Sequence, residues 1–147
     1  MTSEFVIEGI NELTALARNY AEAKARIKDL ILRASKKFAI ESEAKAKQKY
    51  LSGGSPDVLG VRSGRLRSSI TPGVKEQGQS MVISMGTGVP YAPIHEFGGP
   101  ILRSGRVVGQ MPERSFIRRA FEDTMGPFGE DITSLIIGAA AAGFKNG

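Results

Sequence analysis

The sequence predicts an α+β fold: an antiparallel sheet of about four strands, packed with a long N-terminal helical region and a C-terminal helix. Three observations predict it. Residues 10–52 contain neither glycine nor proline and carry apolar residues at spacings of three and four. From residue 53 the period changes to short β-type runs punctuated by Gly and Pro. Beyond Pro112 the helical spacing returns. One domain over 1–147 is expected, divided into 1–51 (strand and helices), 61–111 (sheet with hairpins) and 112–147 (C-terminal helical region).

In chain order, Glu4-Phe5-Val6-Ile7-Glu8 suits a short strand at a sheet edge, ended by Gly9. Ile10, Leu13, Ala17 and Tyr20, then Ile27, Ile31, Ala34 and Phe38, form an apolar stripe. One helix over this stretch would be about 60 Å long. Two helices broken near Asn19–Glu22 fit a chain of this size better. The Lys-rich segment from Ser35 to Lys49 has Glu41 and Glu43 interleaved, which reads as a solvated helix face.

Ser52-Gly53-Gly54-Ser55-Pro56-Asp57 is a loop by composition. Ser63-Gly64 reads as a turn into a strand, with Leu66, Ser68 and Ile70 on one face and Arg65, Arg67 and Ser69 on the other. Pro72-Gly73 is expected to turn the chain, and Glu76-Gln77-Gly78-Gln79 to be a hairpin loop. Met81–Gly86 is the strongest strand signal in the sequence. The stretch Tyr91-Ala92-Pro93-Ile94-His95-Glu96-Phe97-Gly98-Gly99 reads as a rigid connector. After it, Ser104-Gly105 sits between apolar pairs with Arg103 and Arg106 beside it, the pattern of a hairpin tip. A helix is expected to begin at Pro112 and to be interrupted at Gly126-Pro127. A second helical segment then covers roughly 130–142.

Composition narrows the chemistry. The chain has no cysteine and a single histidine, which excludes thiolate metal sites, disulfides and cysteine nucleophiles. No metal site or cofactor is expected, because neither a histidine pair nor a Cys set exists. Gly86-Thr87-Gly88 lacks the third glycine of a dinucleotide fingerprint and the Gly-Lys-Ser/Thr of a phosphate loop. His95-Glu96 is the one imaginable acid–base pair. On an extended segment the two would point to opposite faces, so no catalytic residue is expected. No apolar run is long enough to span a membrane, and Met-Thr-Ser-Glu-Phe lacks the start of a signal peptide, so synthesis in the cytosol is expected.

The net charge is +5. Residues 1–51 hold ten basic and seven acidic side chains and the remainder ten and eight, so charge is spread rather than blocked. That balance permits a nucleic-acid-binding module, although aromatic stacking positions on the strands are missing. An acid in a glycine-bounded loop beside an arginine-bearing hairpin suggests subunit contacts. Tyr91, His95, Glu96 and Phe97 would meet Arg103, Arg106 and Arg114 at an interface, Glu96 pairing with an arginine of a neighbour.

Three blocks, in order, carry a resemblance. Ser63-Gly64-Arg65-Leu66-Arg67-Ser68-Ser69-Ile70 resembles the Thr-Gly-x-Leu-x-x-Ser-Ile block of small neck and tail-completion proteins of tailed bacteriophages. Tyr91-Ala92-Pro93-Ile94-His95-Glu96-Phe97-Gly98 is similar to their Tyr-Ala-x-x-x-Glu-Phe-Gly block. Met111-Pro112-Glu113-Arg114-Ser115-Phe116-Ile117 is similar to their Pro-x-Arg-Pro-Phe-Leu segment. Ser63 stands where threonine is usual, and Ser115 where proline is usual. The families are the virion-morphogenesis (tail-completion) proteins and the minor tail protein Z group. The resemblance implies a non-catalytic virion protein at the head–tail joint, acting as a ring, commonly a hexamer, around the DNA channel. Its partners would be neighbouring neck, head-closure and tail-terminator proteins, with phage DNA passing through the lumen and no membrane.

Overall fold

The computed structural model of the chain describes residues 1–7, 21–62 and 64–144. It is α+β, with two antiparallel sheets. In the first, β1 (Thr2–Ile7) and β2 (Thr71–Gln77) flank β3 (Ser80–Gly86) in the order β1-β3-β2. Register runs from Thr2 opposite Gly86 to Ile7 opposite Met81, and from Thr71 opposite Gly86 to Gln77 opposite Ser80. The second sheet is the separate hairpin of β4 (Gly99–Arg103) and β5 (Arg106–Met111). The expectation of one sheet of about four strands becomes five strands in two sheets among the described residues.

Two long helices dominate the rest. Helix α1 (Ala21–Lys45) passes into a wider π turn (Ala46–Tyr50) and stops at Leu51, just before the Gly-rich loop. Of the break expected near Asn19–Glu22, residues 19 and 20 lie outside the described residues, while Ala21 and Glu22 open α1. Helix α4 (Ile117–Phe144) lies along α1. Phe38 of α1 is their seam, stacked on Phe121 at 5.7 Å and tilted against Phe128 at 4.6 Å. Met81, Ile83 and Met85 alternate along β3 toward this helical layer. Met81 packs with Ile27 and Ile31, while Ile83 and Met85 share a core with Phe38, Phe116 and Ile117.

Four local expectations are corrected, each for a physical reason. Arg65–Ser69 is a short helix, α2, not a strand. Leu66 and Ile70, both buried, fit a strand at even spacing but equally a helical i, i+4 pair. The Ser68 and Ser69 hydroxyls turn back to the carbonyls of Arg65 and Leu66, which favours the helical turn. Pro72-Gly73 lies inside β2 rather than at a turn. An edge strand tolerates the missing N–H of Pro72, and Ser84 Oγ occupies the space that a Cβ on Gly73 would need.

The C-terminal helix begins at Ile117, not Pro112, because its first N–H groups find their acceptor there, as described below. It also runs unbroken through Pro127. Proline at that position deprives the Asp123 carbonyl, four residues back, of its helical partner. Lys45 Nζ of α1 donates to that carbonyl at 3.3 Å. Nearby, the buried Ser42 hydroxyl is bonded to Thr124 Oγ1, which donates to the Ala120 carbonyl. The neighbouring helix thus helps to satisfy α4 where its own ladder is interrupted.

Candidate functional site

The stretch that the sequence singles out is not extended. Ala92–Phe97 is a short helix, α3, with proline in its first turn. Its inward pair is Ala92 and Glu96, four residues apart and both buried, whereas Pro93 and Phe97 face out. The helix ends at Gly98, where φ is +69°. A Cβ there would lie 2.9 Å from both the Glu113 nitrogen and the Met111 carbonyl oxygen. Glycine therefore serves the left-handed backbone and the close crossing of two chain segments together.

Glu96 is 1% exposed, and its acceptors are used within the chain. Oε2 accepts the N–H groups of Phe116 at 2.7 Å and Ile117 at 3.0 Å, and Oε1 accepts that of Arg118 at 2.9 Å. These are the first orphan donors of α4. Phe116 and Ile117 are completely buried, so water is a poor substitute. A carboxylate at this end also meets the positive pole of the helix. Glu96 is thus a helix cap supplied by a distant element, and the pairing expected with a neighbour's arginine does not match this geometry. Arg114 likewise makes contacts within the chain: its N–H donates to the His95 carbonyl at 2.9 Å, and its Nε donates to the Pro56 carbonyl at 2.8 Å.

His95 points elsewhere. Its ring meets Tyr91 edge-on at 6.0 Å, and its buried Nδ1 has no hydrogen-bond partner. Burial, and then the nearby Arg114 charge, lower its pKa from the ordinary 6.5. With the Glu96 carboxylate committed to α4, the two do not form an acid–base pair. No group of three or more His, Cys, Asp or Glu side chains suited to a metal occurs among the described residues. No described helix is long and apolar enough to cross a membrane.

Two surfaces surround this connector. The first is the β4–β5 hairpin. Ser104 (φ +49°) and Gly105 (φ +76°) form its tip, both in the left-handed region that two-residue turns favour. The register shifts between Ile101 and Leu102, which pairs Leu102 with Val107. Exposure is 63% for Leu102, 66% for Val107, 59% for Val108 and 65% for Phe97 at the hairpin's entrance. Arg103 and Arg106 are exposed at the tip. A two-stranded ribbon is marginal by itself in water, and one that presents large apolar side chains to solvent suits contact with another surface.

The second surface is a half-open cleft of about 690 Å³ between the segment at 51–67 and the α3–β5 region. Leu51, Leu59 and Leu66 provide buried apolar floor, and Tyr91 and His95 form a wall. Four arginines line it (Arg62, Arg65, Arg67 and Arg114), and no lining residue is acidic. Sequence reasoning missed this grouping because it placed Arg65 and Arg67 on the outer face of a strand. The spacing of Leu66 and Ile70 fits either period, so no local signal separated the two.

Of the residues expected at an interface, Tyr91, Phe97, Arg103 and Arg106 are exposed, His95 and Arg114 are half-buried and Glu96 is internal.

A family model described as "Bacteriophage HK97-gp10, putative tail-component" matches residues 10–98. The match contains two of the three sequence blocks, including the whole of α3, and stops before the hairpin and α4. No curated protein and no solved structure matches the chain.

Proposed function

Because the chain belongs to the HK97-gp10-like family of bacteriophage tail components, we propose that it is a structural protein of the virion that acts by assembly and not by catalysis. Its place is the neck or the top of the tail, where it completes the tail and allows head–tail joining. Copies form a closed ring, six in number, around the channel through which DNA leaves. The observation that carries the assembly reading is the exposed apolar hairpin. Phe97, Leu102, Val107 and Val108 form a surface that a neighbouring copy covers. Ring closure needs one patch to meet a different patch next door, and a projecting ribbon is suited to such a heterologous contact. Arg103 and Arg106 at the tip set its orientation, with Tyr91 and His95 on the adjoining face. Glu96 contributes indirectly, by fixing α3 and hence the base of the hairpin on α4.

The test is a double substitution, Leu102→Asp with Val107→Asp. Both side chains are exposed in the isolated subunit, so melting should be close to wild type. Self-association in sedimentation, and head–tail joining in an assembly assay, should both be lost. Normal sedimentation and normal joining by this variant would contradict the proposal.

A further inference from the structure

We propose that the arginine-lined cleft is a docking site for an acidic peptide segment that carries an apolar anchor, supplied by another protein of the virion. Four arginines line one concavity, with no acidic residue in its lining. Among the described residues, neither Arg62 nor Arg67 has an acidic side chain within ion-pair distance. Arginine forks are matched to carboxylates, which they bind through paired hydrogen bonds.

The floor decides between ligand classes. Leu51, Leu59 and Leu66 give the cleft an apolar base, and Tyr91 adds an aromatic wall. Duplex DNA binds chiefly through phosphates on a convex surface and gains little from a recessed apolar base. A peptide segment uses both parts, its carboxylates on the arginines and a side chain in the recess.

The cleft is separate from the hairpin tip, so this inference rests on the tail-component reading only for the origin of its partner. The experiment uses the full chain and fluorescence anisotropy. The probe is a labelled short peptide alternating Glu and Asp with Leu and Phe. A second peptide with Lys in place of the acids, and a short DNA duplex, are the comparison ligands. The acidic peptide should bind most tightly. Arg62→Glu with Arg67→Glu should weaken it by about tenfold or more, while Arg103→Glu with Arg106→Glu should change it little. Arg62→Gln with Arg67→Gln, which is gentler on the fold, should weaken it in the same sense.

Binding of the acidic peptide no tighter than the basic one would overturn the proposal. Equal loss in the cleft and tip variants, or tighter binding of DNA through the cleft arginines, would also overturn it. Sedimentation of the same samples reports ring formation separately. A cleft that binds no peptide in a protein that still assembles would remove this inference and leave the tail-component reading standing.

Discussion

Replacing Glu96 by alanine removes the acceptor of three main-chain N–H groups at the start of α4, two of them on fully buried residues. Leaving buried donors unmet costs about 1–3 kcal/mol each. The expected loss in denaturant melts is ~3 kcal/mol for Glu96→Ala and about half that for Glu96→Gln, which keeps one acceptor oxygen. Equal stability of wild type and Glu96→Ala would remove the cap from the account. Asp123 gives a second prediction at this scale. The Lys49 ammonium and the Tyr50 hydroxyl, both bonded to its Oδ2, hold its pKa below the ordinary 3.8. The folded chain thus binds that proton less readily than the unfolded chain. The stabilisation is complete above the ordinary value and is lost as pH falls through the folded value. Acid-side melts of Asp123→Asn should be flatter than those of wild type below about pH 4. The difference should shrink with salt, because the Lys49–Asp123 pair faces solvent. His95 also favours its neutral form in the fold, so its loss on acidification begins at 6.5 and occupies a separate window.

At the scale of elements, α4 shows how a helix can run through a proline. The Asp123 carbonyl freed by Pro127 is bonded by Lys45 from α1, and Phe38 packs on residues either side of the interruption. Interior proline costs about 3 kcal/mol in a helix without such support. Pro127→Ala should raise stability by about 1 kcal/mol or more, read as a higher melting temperature. An unchanged or lower melting temperature would show that the proline fits the path of α4 without strain. The elements also show what the sequence made legible. Met81–Gly86 was readable as a strand because apolar β-formers lie between turn residues. The Ser104-Gly105 tip was readable because Gly105 tolerates positive φ and the pair stands between apolar residues. Arg65–Ser69 was not, because Leu66 and Ile70 sit at a spacing common to both periods and only burial separates them. The start of α4 was hidden for another reason. Its capping acid lies twenty residues before Phe116 in the chain, so no local motif announces it.

For the whole molecule, the connector at 91–99 joins three functions that sequence alone had merged. Glu96 locks it inward to α4, His95 and Tyr91 turn toward the arginine cleft, and Phe97 opens the apolar hairpin. Of the residues that the sequence assigned to an interface, Tyr91, Phe97, Arg103 and Arg106 are exposed. The sequence assigned Glu96 to a subunit contact because an acid in a glycine-bounded loop stands beside an arginine-bearing hairpin, and the distant helix end that buries it leaves no trace nearby. The hairpin and the cleft remain as two outward surfaces on one subunit, one apolar and one cationic, an arrangement suited to meeting both a copy of itself and a different neighbour.

The assembly reading is tested most directly by two-dimensional class averages of the purified full chain beside Leu102→Asp/Val107→Asp. The account predicts closed rings for wild type, with a countable subunit number, and single small particles for the variant. Single particles in both samples, or rings that persist in the variant, would contradict it.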